Sequence, residues 1–277
     1  MLRESEFVDY LAHSWGNSEN HWYKIPKGNR CYTSLKNRGR FEVNSLSDCL
    51  SKYCWNGNDY STNAQVLDAL ENKLLRALRK DNTPCIKEIC VQILNWGGVK
   101  YKNNITGKWL DENTSNKCLG RKIVDALTLL SEPGKPLGRF DGHDLIMNSG
   151  ITKIISLAAN DTKLIIYDGR VGAALGDLAI LAMQSHNFNA LDAKLEFRWR
   201  NSRSYNKPNP RDPSRANVKL GTLFRGKYKH KAHAESMQYG SYVARKVAAK
   251  LSIPVREFEA ALFMWGYDVR QRLGSLS

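Results

Sequence analysis

From Ala64 onward, apolar residues fall at helical spacing in segment after segment. Val66, Leu67, Leu70, Leu74, Leu75 and Leu78 follow a Ser61-Thr62-Asn63 cap region and predict an amphipathic helix. Thr83-Pro84 opens a second helix, with Ile86, Ile89, Ile93 and Leu94 on its apolar face and Gly97-Gly98 at its end. A third runs from about Gly120 to Leu130 and is stopped by Pro133-Gly134. Leu145 to Gln184 reads as two helices separated by an extended run, Leu164-Ile165-Ile166-Tyr167. Helices return over Ala234 to Leu251 and, after Pro254, over Glu257 to Leu273. Residues 1–60 mix aromatics with Asn, Gly and Ser, which suits short helices, turns and a small hairpin. Leu195, Phe197 and Trp199 alternate with charges as a strand would, ahead of a proline-bearing polar loop from Asn201 to Asn217. No fixed-period repeat is present, which excludes solenoids. The expected class is mainly α with at most a few short strands, as a single unit with lobes 1–135 and 136–277.

Charge narrows the partner. The chain carries 42 Lys and Arg against 27 Asp and Glu, a formal +15. Residues 193–250 alone hold 15 basic and 3 acidic residues, so 15 − 3 = +12 sits in one window. Such a field attracts a polyanion, because each phosphate neutralised releases condensed counterions. An anionic membrane is the competing partner, but neither a basic amphipathic helix nor a lipid anchor is visible. Nucleic acid is therefore the expected partner. Within the window, Arg198, Arg200, Arg203, Lys207 and Arg211 have the charge and spacing of a phosphate-gripping loop, and Lys227, Lys229, His230, Lys231 and His233 form a second basic group.

Composition excludes other classes. A chain of 277 residues with 42% apolar content can bury a core without disulfide staples. No stretch approaches the roughly 18 apolar residues a membrane span needs, and no signal-type leader is seen at the start, so a cytoplasmic monomer is expected. The six cysteines all lie in the first half and form no C-x-x-C pair; buried thiols are expected, with no metal and no cofactor. No cysteine follows Cys118, which excludes a C-terminal four-cysteine cluster.

The chemistry is expected in two linked segments, Asn148-Ser149-Gly150-Ile151-Thr152-Lys153 and Tyr167-Asp168-Gly169-Arg170-Val171. A tight turn enters a helix, which exits into an apolar run and then an Asp opening the next helix. A carboxylate at a helix start is kept ionised and fixed, because free backbone N–H groups there bond it. Such a group can stabilise developing positive charge and orient a water. From sequence context alone, Asp168 reads first as an N-cap and nothing more.

This pattern resembles the helix-hairpin-helix DNA glycosylases, and within them bacterial proteins with an 8-oxoguanine-glycosylase-like fold that include enzymes attacking modified cytosines in phage DNA. Asn95-Trp96-Gly97-Gly98-Val99 and Phe263-Met264-Trp265-Gly266-Tyr267 extend the likeness. The resemblance implies a two-lobed helical fold and an enzyme that flips a base out of DNA and cuts its N-glycosidic bond. It implies a catalytic Asp168, with Ser149, Gly150, Thr152 and Arg170 against DNA. Lys153 falls where bifunctional members carry an amine nucleophile; contact with phosphate is the other reading, and a monofunctional enzyme is expected. The family's Gly-x-Gly hairpin is here Ser149-Gly150-Ile151, and the spacing from hairpin to Asp is about a turn short. Trp96, beside a glycine break, and Trp199, flanked by arginines, are the aromatics chosen to stack or wedge.

Two rivals belong to other classes. Asp141-Gly142-His143-Asp144 could ligate a divalent ion in a nuclease. A non-catalytic nucleic-acid-binding module would explain the charge alone.

Overall fold

The structure is a computed structural model and describes residues 1–17, 21–25, 40–160, 163–201, 209–215, 217–223 and 226–270. The protein is mainly helical: the described residues include ten α-helices and one two-stranded sheet. Among them, no helix is long and apolar enough to cross a membrane. The chain divides into two units that are discontinuous in sequence. Unit 1 holds Met1–Asn63, Asp168–Leu223 and Val243–Ser277; unit 2 holds Ala64–Tyr167 and Phe224–Tyr242. The expected lobes were 1–135 and 136–277; the compact units are interleaved in sequence, the chain leaving unit 1 near Asn63 and re-entering it at Asp168.

Unit 1 contains α1 (Glu4–Gly16), strands β1 (His21–Lys24) and β2 (Arg40–Val43), and α2 (Leu46–Ser51). The strands pair antiparallel with His21 opposite Val43. Ser45 caps α2, its hydroxyl accepting from Asp48 N at 3.0 Å. Later segments add α8 (Gly169–Ser185) and α10 (Val255–Trp265), and α10 packs on both α2 and α8. Asp177 is the fixed point of this packing. It is fully buried on α8, bonded to Arg215 Nη2 at 2.6 Å and to Trp265 Nε1 at 3.0 Å. Where a strand was expected, Ala193–Leu195 forms a single 3-10 turn, and Trp199 makes one isolated parallel bridge to Thr222. Leu195, Phe197 and Trp199 are all buried, so the alternation reports one-sided burial without a ladder partner.

Unit 2 contains most of α3 (Tyr60–Arg79), then α4 (Thr83–Trp96), α5 (Ile105–Ser115), α6 (Leu119–Leu130) and α7 (Ile151–Ala158). Helix α9 (Lys229–Leu251) begins in unit 2 and ends in unit 1. The expected caps shift by a residue or two. Asp59, not Ser61, accepts from Thr62 N at 2.8 Å, and Asn82 caps α4 through Cys85 N at 3.1 Å. Helix α7 is buried at every residue and packs on α4 and α6.

The extended run after α7 forms no strand, so its buried backbone groups need other partners. Ser156 Oγ donates to Leu164 O at 2.5 Å, Ile165 N donates to Ser241 Oγ at 3.1 Å, and His233 Nε2 lies 2.9 Å from Tyr167 O. His230, also on α9, sets Nδ1 2.9 Å from Met147 O, and burial holds its pKa below the usual histidine value. Both histidines are buried in these roles, which removes them from the expected basic surface group. Cys49 and Cys90 are buried free thiols, as expected, whereas Cys54 is disulfide-bonded.

Replacing Ser241 by Ala strips the acceptor from a buried amide. A loss of about 1–3 kcal/mol in urea unfolding is expected, with Ser61→Ala, exposed on α3, changing little.

Candidate active site

Asp168 stands at the N-cap of α8 with extended backbone, φ −104° and ψ −177°. Its Oδ1 accepts from Arg170 N at 2.8 Å and from Val171 N at 3.1 Å. Two amides thus fix the plane of the carboxylate, which remains half-exposed. The residue after it must be small: a side chain at Gly169 would lie 3.2 Å from Arg200 Cα and overlap Arg200 Cβ. Across the same helical turn, a side chain at Gly266 would lie 2.6 Å from the Arg170 carbonyl carbon and overlap its oxygen. Two glycines therefore let the segment at Arg200 and the end of α10 close on the first turn of α8.

The turn delivers Arg170 into a ring of aromatics. Its guanidinium carbon lies 4.0 Å from the Tyr267 ring centroid, 4.3 Å from that of Phe263 and 5.5 Å from that of Trp55. Arg211 joins the group from the proline-rich loop. Asn209 Oδ1 accepts from Arg211 N at 3.1 Å, and Pro210 O accepts from Val269 N at 2.8 Å, pinning this loop to the end of α10. Burial pushes the Arg211 pKa down to about 10, with Arg170 adding to the effect and Asp168 opposing it. Arg170, Asp168, Tyr267 and Arg200 thus all act electrostatically on Arg211 within unit 1.

The remaining expected residues divide. Arg198 is half-buried with its guanidinium over Gly221. Trp199 is 4% exposed and donates Nε1 to Leu220 O at 3.2 Å, so it is a core residue and presents no ring for stacking. Thr152 is fully buried in α7, and Gly150 is buried as well, so neither offers a side chain to DNA. The turn before α7 is organised by Asn148, whose Oδ1 accepts from Gly150 N at 2.8 Å and Ile151 N at 3.2 Å. Gly150 itself has φ −80°, and a side chain there would crowd Leu94 at 3.0 Å. Its glycine is thus a packing requirement and not a left-handed hairpin. Ser149 is half-exposed, and its carbonyl accepts from Lys153 Nζ at 2.8 Å. Lys153 is 6% exposed, its stem running over Gly97 beside the half-exposed Trp96. Arg203 and Lys207 lie outside the described residues.

The Asp141–Asp144 turn is already engaged. Asp141 Oδ1 accepts from His143 N at 2.7 Å and Asp144 N at 2.8 Å. Asp144 pairs with Arg139 at 2.5 Å and with Lys122, and these partners, Arg139 first, hold its pKa down to about 2. Among the described residues no group of three His, Cys, Asp or Glu is placed to hold a metal ion. Sequence offers Trp55 only as one of several tryptophans able to stack and does not single out Phe263 or Tyr267 for the site, because nothing local marks three aromatics that meet around Arg170. The Asn209-Pro210-Arg211 turn was the available signal for an inward arginine.

Gly266→Ala forces backbone apart at the turn that carries Asp168 and Arg170. A destabilisation of about 1–3 kcal/mol is expected in denaturant unfolding. Gly16→Ala, with nothing within 4 Å of the added carbon, is the control and is expected to be neutral or slightly stabilising. No family model matches this chain, nor does any curated protein or solved structure, so the reading of the site rests on its own residues.

Proposed function

We propose that the protein is a DNA glycosylase that uses Asp168 to cleave the N-glycosidic bond of a flipped base, within a helix-hairpin-helix-glycosylase-like fold. The observation that carries the reading is the geometry of Asp168, a half-exposed carboxylate held by two amides of α8 beside Arg170, Arg200 and Arg211. Breaking a glycosidic bond builds positive charge on the sugar, and a carboxylate of fixed orientation stabilises that charge and can position water. The surrounding arginines suit a substrate that brings its own phosphates. Half-buried Trp55 and Phe263 supply apolar surface near the same turn for a base removed from the stack.

The nuclease reading is disfavoured by the lysine and arginine that occupy Asp144. Lys153 is read as a structural and phosphate-proximal lysine, which makes the enzyme monofunctional. The substrate proposed first is a modified cytosine, in defence against phages whose DNA carries it; repair of an oxidised base is the alternative role.

Asp168→Asn is the decisive variant, because Asn caps a helix about as well as Asp and the fold survives. Mass spectrometry of free bases released from ordinary, oxidised and cytosine-modified DNA is expected to show one base released by wild type. Release should fall about 100-fold or more in Asp168→Asn, with DNA binding kept. Binding without release from any of these DNAs would instead support a non-catalytic module. Borohydride trapping of an enzyme–DNA adduct is expected to fail; trapping lost in Lys153→Gln would make Lys153 a nucleophile.

A further inference from the structure

Arg170 Nη1 and Arg211 Nε are both shielded from solvent, and neither has a hydrogen-bond partner among the described residues. Neither guanidinium is in an ion pair among those residues. Burying an unpaired charge is strongly unfavourable, and placing two like charges beside one another adds to the cost. The three rings around Arg170 cover its face but offer no acceptor to its in-plane N–H groups. The charges that act on Arg211 are Arg170 and Arg200 on one side and Asp168 and Tyr267 on the other. Asp168 Oδ1 already accepts two amides of α8 and makes no hydrogen bond to Arg170 Nη1 or Arg211 Nε.

We propose that Arg170 and Arg211 form a built site for a phosphate-class oxyanion in unit 1, beside Asp168. Two planar guanidiniums, each with a shielded N–H left unanswered, match a group with several oxygens on a single centre better than a lone carbonyl or a halide. The anion supplies the counter-charge that the protein withholds, so the free chain carries a cost that the ligand relieves. Its source is a nucleic-acid phosphodiester or free phosphate. The site stands on the two arginines alone; only the first source rests on the glycosylase reading, because a backbone phosphate seated here brings the adjoining sugar to Asp168.

Calorimetric titration of the full chain with inorganic phosphate, against chloride at equal ionic strength, tests it. Wild type is expected to bind phosphate saturably and to gain thermal stability as it does. Arg211→Met keeps the length of the side chain and removes the charge. It is expected to lose phosphate binding by at least about tenfold, while melting no lower than wild type in phosphate-free buffer because an unpaired buried charge has gone. Asp168→Asn should bind phosphate as well as wild type or better, which also shows that failure of base release leaves this site untouched. Absence of saturable phosphate binding by wild type, or equal binding by Arg211→Met, overturns the proposal. Should Arg211→Met fail to fold, Arg211→Lys keeps the charge without the fork and is expected to bind several-fold more weakly; binding equal to wild type overturns the fork argument. If phosphate weakens duplex DNA binding of wild type beyond chloride, and does not do so in the Arg211 variant, the DNA backbone enters the site. If phosphate binds without competing, free phosphate is the ligand.

Discussion

At Gly169 and Gly266 two stretches of backbone close on the first turn of α8 from either side. Everything proposed for the site depends on that clamp. Asp168 takes its orientation from the amides of that turn, and Arg170 is aimed by its backbone into the aromatics of α10 and the segment after α2. A looser turn would leave a carboxylate and an arginine with many rotamers each, and a site needs them in one arrangement. The buried network one face further along has the same effect at longer range. Asp177 bonds α10 through Trp265 and the proline-rich loop through Arg215, so the three elements that supply Arg170, Tyr267 and Arg211 are held in register. Buried ion pairs add little net stability against an apolar replacement, but they fix geometry when every partner is satisfied.

Much of the helical frame was legible in the sequence because it is written in apolar periodicity. Helices α3, α4, α6, α7 and α8 all fall within the stretches that spacing marks, though α3 starts at Tyr60, ahead of the expected cap region, and α7 only at Ile151. Helix α5 was not anticipated, and its composition says why. Its buried positions are Thr106, Gly107, Trp109, Leu110 and Asn113, so polar side chains occupy the inner face and no apolar stripe is left to read. The supposed strand at Leu195, Phe197 and Trp199 erred in the opposite direction. Alternation was real and reported burial, but a strand also needs a partner along its length, which a single chain segment cannot announce.

The candidate site was legible in part for a related reason. Asp168 is visible because an N-cap is a local signal: an Asp before a helical run. Arg170 follows from its position two residues later. Arg211 was read as one of several loop cations, and the structure instead turns it inward through an Asx turn at Asn209. The flanking arginines of Trp199 do not bring it to the surface: it is buried and its indole N–H is satisfied by Leu220 O. What separates these cases is range. A cap is set by neighbours within four residues, whereas an aromatic box around Arg170 needs segments more than 200 positions apart.

The charge argument changes most once side chains are placed. The window from 193 to 250 carries +12 in sequence, yet not all of that faces outward. Arg215 is spent on buried Asp177, and the Arg211 Nε is shielded within unit 1. Long-range attraction of a polyanion depends on summed charge, so inward arginines still contribute to steering, though screened with distance. Their local effect is of another kind. An exposed lysine such as Lys227 gains little from meeting a phosphate, because water already solvates it. A desolvated guanidinium has lost that hydration before the ligand arrives, so the contact is stronger and its geometry more exacting. The basic window can thus contribute in two ways: as a diffuse field that gathers a polyanion, and through Arg211, which with Arg170 from outside the window makes up the oxyanion site proposed beside Asp168.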